Sequence, residues 1–135
     1  MPDFTISPID DMEAVVFGSF KRARATLGVE SFGMQVIDLP PNAEQYPEHD
    51  HAESGQEEVF VVLRGSGEIE VDGERLALDP ETMIRVGPQP KRKIWPGSEG
   101  MRVLALGGCP GAPYEAPEVT KLGAPDPGLP QTPAL

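Results

Sequence analysis

A chain of 135 residues has room for one domain and one hydrophobic core. Its 39% hydrophobic and 24% charged residues exclude a membrane-embedded or broadly disordered class, and no apolar run approaches the roughly 18 residues of a membrane span. The net charge of −11 argues against nucleic acid, because phosphate binding asks for a basic surface, and Lys91-Arg92-Lys93 is too short a cluster to reverse that balance.

Met1-Pro2-Asp3-Phe4 has neither a basic nor an apolar leader region, so the expected location is cytoplasmic. Residues 1–32 read as an N-terminal extension with one short helix over Ser19–Leu27, Ser19 as N-cap and Gly28 as the left-handed stop. Residues 33–109 read as successive strands. Met34 to Leu39 stops at Pro40-Pro41. Val59 to Leu63 is a nearly continuous apolar run, the pattern of a strand buried on both faces, and it ends at Gly65-Ser66-Gly67. Glu68 to Val71 and Glu74 to Leu78 flank Asp72-Gly73, a strong hairpin signal because both turn residues must tolerate positive φ. Thr82 to Val86, Lys93 to Trp95 and Met101 to Leu106 complete the set, with Pro96-Gly97 between the last two. Many short strands with regular turn signals predict a sandwich or barrel. Residues 110–135 hold Pro110, Pro113, Pro117, Pro125, Pro127, Pro130 and Pro133 and read as an extended arm, its last ten or so residues mobile. Cys109 is the only cysteine, which excludes an intrachain disulfide and an all-cysteine metal site; a small buried hydrophobe is the expected role.

The chemistry concentrates in one place. His49 and His51 are the only histidines and stand two apart, so in an extended chain both project to the same side. Glu57-Glu58 follows at the start of the next strand. Two imidazoles and one carboxylate make a three-ligand set that leaves positions open on a metal ion, and iron, manganese, nickel and zinc all accept such donors. Glu57 and Glu58 point to opposite faces, and periodicity alone does not say which one looks inward.

Pro47-Glu48-His49-Asp50-His51, followed by Glu58 and then Gly65, resembles the first signature of the cupin superfamily. That signature runs Gly, five residues, His-x-His, three or four residues, Glu, six residues, Gly. The resemblance covers roughly residues 33–106, and its spacing from Gly65 selects Glu58 as the inward ligand. It implies a double-stranded β-helix, or jelly-roll barrel, over 33–109. There are departures. Ala43 replaces the opening glycine, and six residues lie between His51 and Glu58. The second signature is eroded, with Arg92 where the family usually has its last metal-binding histidine.

The resemblance therefore implies a divalent metal held by His49, His51 and Glu58 and acting on a small organic molecule, with dioxygenase and isomerase types the first to test. Arg92 is the candidate anchor for an acidic substrate by its planar fork. Tyr46 and Phe60 are further candidate substrate contacts. The rival reading is a metal-free, non-catalytic barrel that binds a small ligand, with Arg92 paired to Glu58. No nucleic-acid or membrane partner is expected, and edge pairing into a homodimer is.

Overall fold

The structure, a computed structural model, describes residues 2–129 and Leu135. Seven antiparallel strands and one short helix account for its regular elements: β1 (Ala14–Val15), β2 (Phe20–Lys21), α1 (Ala23–Leu27), β3 (Gly33–Leu39), β4 (Glu57–Val71), β5 (Glu74–Leu78), β6 (Met83–Val86) and β7 (Arg92–Gly108). The strands join in the order β1-β2-β3-β7-β4-β5, with β6 paired to β4. No helix among the described residues is long and apolar enough to cross a membrane.

The frame is the pair β4 and β7, each formed from segments that the sequence suggests as separate strands. The early half of β4 lies between β6 and the late half of β7, through Glu58↔Val86 and Val59↔Leu106. Its late half lies between β5 and the early half of β7, through Ile69↔Leu76 and Ile69↔Ile94. Register shifts between Val62 and Arg64 and between Gly65 and Gly67 let one strand serve both halves. Gly65 takes φ +78° there, so the turn signal marks a bulge inside a continuous strand. Pro96-Gly97 likewise interrupts nothing, since both lie within β7. Asp72 and Gly73 form the expected hairpin, both at positive φ.

The inward row Phe60, Val62, Ile69, Leu78, Ile94, Val103 and Ala105 makes the main core. Val59, Val61 and Leu63 face outward and are only partly covered, so the early part of β4 alternates and is not buried on both faces. Strand β3 is sealed on two sides. Ile37 faces the main core, while Val36 joins Met12 and Ala23 beneath α1.

The helix is shorter than its sequence suggests. Phe20 and Lys21 pair with Ile37 and Val36, and the pull of those ladder bonds leaves only Ala23–Leu27 helical. Ser19 therefore caps nothing; its hydroxyl donates to the Val16 carbonyl at 2.6 Å. Gly28 does stop the helix in the left-handed region. The proline-rich arm folds back to a 3-10 turn at Glu118–Thr120 and is fastened by Arg22. This buried guanidinium donates to the carbonyls of Val119 (2.9 Å) and Ala124 (3.0 Å) and pairs with Glu13. The mobility expected of the last ten or so residues falls in part on 130–134, outside the described residues. Cys109 is half-exposed, not buried, and its Sγ lies 3.1 Å from the Ser54 carbonyl oxygen.

Two glycines separate strain from space. Gly65 and Gly73 both sit at positive φ, but a Cβ at Gly65 would run into the carbonyl of Gly100, while one at Gly73 meets nothing. Gly73→Ala is expected to cost about 1–2 kcal/mol from backbone strain alone. Gly65→Ala is expected to cost at least about 2 kcal/mol more, because the clash is with backbone of the neighbouring strand. Chemical unfolding of both variants checks the difference; equal losses would contradict it.

Candidate metal centre

The loop between β3 and β4 delivers the two histidines. His49 forms an isolated bridge with Arg92, its N–H donating to the Arg92 carbonyl (3.0 Å) and its carbonyl accepting from the Arg92 N–H (2.8 Å). His51 N–H donates to the Pro88 carbonyl at 2.9 Å, and the His51 carbonyl accepts from Gly55 N–H at 2.8 Å. Both histidines are thus pinned through backbone to the start of β7 and the loop that precedes it. Glu58 stands on β4 opposite Gly107 and Val86 and points inward. Glu57 points outward, where its carboxylate accepts from Arg85 Nε at 2.6 Å. The alternation that periodicity leaves open is thereby resolved.

The three side chains converge. His51 Nε2 lies 2.9 Å and His49 Nε2 3.4 Å from the same Glu58 oxygen, Oε1. One ligand atom from each residue falls within 4.8 Å of the others, which a single ion can bridge. His49 Nδ1 sits 3.0 Å from the Pro47 carbonyl oxygen. A carbonyl only accepts, so Nδ1 carries a proton and Nε2 is the nitrogen left to face Glu58. His51 Nε2 and Glu58 Oε1 are buried and complete no hydrogen bond despite their closeness. Three ligand atoms crowded around one point are relieved by a cation, or by imidazole N–H groups turned to the carboxylate when no metal is bound.

Arg92 is the competing cation. It is fully buried, with Nη1 3.3 Å from Glu58 Oε1 and Nη2 donating to the Gly87 carbonyl. Lys91 and Lys93 face the other way; Lys93 donates to the Glu44 carbonyl and lies over the Trp95 ring. Arg92 thus neutralises Glu58 from the side on which the resemblance expects a histidine.

A cavity of about 920 Å³ reaches this cluster. Its walls are mostly apolar: Val16 and Phe17 from the β1–β2 turn, Leu39 from β3, Met101 from β7 and Tyr46 from the loop, with His49 and Glu58 exposed to its interior. Tyr46, a candidate from sequence, lines the cavity with its ring 5.7 Å from that of His49. Burial, reinforced by the Glu58 carboxylate, pushes the Tyr46 hydroxyl well above its ordinary value, so it remains a proton donor. Phe60 and Arg92 are buried behind the lining and do not reach the cavity surface. The Val16–Phe17 wall was beyond sequence reasoning; Gly18-Ser19 marks a turn, but nothing local says where that turn will lie.

Burial pushes the Glu58 carboxyl up, yet the His49 and His51 imidazoles against it pull it down, and the balance lowers it from 4.5 to about 2. A depressed carboxyl contributes stability that is complete above its unfolded value and is lost as pH falls toward the folded one. Replacing Glu58 by Gln is therefore expected to cost most above pH 5. The gap from the parent is expected to narrow by on the order of 3 kcal/mol between pH 5 and 2. Denaturant unfolding across that range measures it; a pH-independent gap would contradict the assignment.

Comparison with known proteins fits this fold. The family model described as Cupin_2, cupin domain, matches residues 35–107. Among solved structures, a cupin protein from Bacteroides fragilis aligns at 22% identity over 87% of this chain and 93% of its own, with a TM-score of 0.67. KdgF from Halomonas sp. aligns at 16% identity over 64% of this chain and 73% of its own, TM-score 0.53. A putative sugar phosphate isomerase from Acidithiobacillus ferrooxidans aligns at 22% over 65% of this chain and 56% of its own, TM-score 0.54. Likenesses at these identities establish the fold and leave the chemistry to the site. No significant match is found among curated proteins.

Proposed function

We propose, for a chain that belongs to the cupin domain family, that His49, His51 and Glu58 hold a divalent metal ion facing a cavity that admits a small organic molecule. The observation that carries this reading is the convergence of three donor atoms, of which the two on His51 and Glu58 are buried and have no hydrogen-bond partner among the described residues. Iron, manganese, nickel and zinc suit an imidazole–imidazole–carboxylate set. Such an ion, when bound, supplies Lewis acidity or activates water or dioxygen at its open positions. The chain's own residues do the rest. The His49 Nδ1–Pro47 contact fixes which ring nitrogen is free, the apolar walls exclude water, and Tyr46 offers a protonated hydroxyl beside His49. Dioxygenase and isomerase reactions are the two classes to assay first.

Arg92 favours a second reading, a metal-free barrel that binds a small ligand without catalysis, because the guanidinium already balances Glu58. A divalent ion at the same carboxylate oxygen is repelled by it, which weakens binding by several kcal/mol at an intermediate dielectric. The two readings part on metal content. Elemental analysis of the purified protein is expected to find near-equimolar metal, lost in His51→Ala. Arg92→His, which removes the repelling charge and adds a donor, is expected to tighten zinc binding at least about tenfold, or 1.4 kcal/mol. Absence of metal from parent and Arg92→His alike, even after incubation with iron(II), manganese, nickel and zinc, leaves the metal-free binder.

We also propose that a second copy covers the outer face of the early half of β4. Val59, Val61 and Leu63 stand there with Met83, which is 71% exposed. An apolar patch of this kind on a net-acidic surface suits self-association. Sedimentation is expected to show a dimer, and Val61→Lys with Met83→Lys a monomer; a monomeric parent would refute the pairing.

A further inference from the structure

We propose that the turn between β1 and β2, through Val16 and Phe17, is the recognition surface for the body of the ligand, and that the ligand is an elongated, mainly hydrocarbon or aromatic compound with its polar group at an end. The proposal deepens the reading above by naming the substrate class of the same cavity. It rests on that reading only in taking the cavity as the ligand's place.

The turn is built against local preference. Val16 and Phe17 sit at φ +55° and +57°, followed by Gly18 at +77°. The left-handed region suits glycine or asparagine, and a β-branched residue such as valine is strained there. Strain of this kind persists where the surroundings over-determine it, and it gathers at segments that hold ligands. Here the Val16 N–H donates to Asp126 Oδ1 at 3.1 Å, and the Val16 carbonyl accepts from the Ser19 N–H (3.1 Å) and the Ser19 hydroxyl (2.6 Å). What the strained positions present is hydrocarbon. Both side chains line the cavity, and Phe17 is 94% exposed, so its ring covers almost nothing among the described residues. Asparagine or glycine would ease the backbone at Phe17 with no loss of packing. Contact with an apolar ligand accounts for the aromatic ring there.

The shape and lining of the cavity point the same way. Glu58 and Gly65 both line it and stand seven residues apart on β4, so it extends roughly 20 Å along that strand. Its volume of about 920 Å³ lies near the upper end for small-molecule sites. Between the ends, Ile37, Leu39 and Met101 continue the apolar wall of the turn. Two polar side chains on that wall are already spent, Asp38 on Arg102 and Lys21 and Ser19 on the Val16 carbonyl. A polyhydroxylated ligand would lose its water there with few hydrogen bonds in return, whereas a hydrocarbon body gains by leaving water. Tyr46, His49 and Glu58 stand at one end, and Arg64 and Glu99, next to Gly65 and Gly100, at the other. A head group, acidic or neutral, therefore belongs at an end, with the hydrocarbon between.

The test titrates N-phenyl-1-naphthylamine, an uncharged dye that brightens in apolar surroundings, into the full chain with and without added zinc. Saturable binding is expected, with 1-decanol and decanoate both displacing the dye at concentrations at least tenfold below those of glucose or glucuronate. Phe17→Asn and Val16→Asn suit the left-handed backbone and are each expected to weaken dye binding at least threefold. Thermal unfolding of Phe17→Asn is expected no lower than the parent's, so its loss of binding does not come from misfolding. Because that ring is exposed, Phe17→Asn decides the matter even if Val16→Asn does not fold. Parent-like dye affinity in Phe17→Asn, no saturable binding, or displacement by the sugars as readily as by decanol overturns the proposal. Dye binding that survives where elemental analysis finds no metal sustains the substrate class while the metal reading fails; metal present with the sugars preferred does the reverse.

Discussion

A carboxylate sealed inside an apolar barrel has to be balanced by something, and the interior is organised around how Glu58 is balanced. Its side chain is 3% exposed, which would ordinarily favour the protonated acid. Two imidazoles and a guanidinium converge on its Oε1 and keep it ionised instead. Each partner is held by backbone: His49 and Arg92 by their mutual bridge, His51 by Pro88 and Gly55. Metal binding and ion pairing with Arg92 are thus alternative solutions to one electrostatic problem. Retaining the histidines so close to Glu58, with an unpartnered nitrogen on His51, is what favours the metal.

The long strands make that convergence available. Because β4 and β7 each cross both halves of the sheet, Glu58 at the beginning of β4 and Arg92 at the beginning of β7 come within reach of the loop that carries the histidines. The bulges near Gly65 allow one strand to turn between halves without losing its ladder. Outside the barrel, Arg22 ties the arm to the N-terminal hairpin, and that hairpin supplies one wall of the cavity. The terminal segments are therefore part of the cavity's construction and not appendages to a finished barrel.

Much of this was legible in the residues. The His49-x-His51 spacing and the Asp72-Gly73 turn are local signals, and local geometry honours them, whereas the choice of Glu58 over Glu57 is implied only by the cupin resemblance. Strand continuity was not legible, since Gly65 and Pro96-Gly97 look like turns until a neighbour's hydrogen bonds hold the chain straight through them. The helix start at Ser19 failed for the same reason, tertiary pairing of Phe20 and Lys21 outweighing local preference. Arg22 carries no signal at all, because its role depends on partners roughly 100 residues away. Arg92 was visible as an anomaly, but only its burial shows that it serves Glu58 and does not line the cavity.

The central claim is that the free Nε2 atoms of both histidines, together with Glu58, await a cation. Long-range ¹H–¹⁵N NMR tests it directly, since the chain has two histidines and hence four ring nitrogens to assign. On addition of one equivalent of zinc to metal-free protein, the account predicts that both Nε2 resonances move to values of metal-bound nitrogen while His49 Nδ1 stays protonated. Ring resonances unchanged by excess zinc would contradict it and leave the Glu58–Arg92 pair as the finished state of the site.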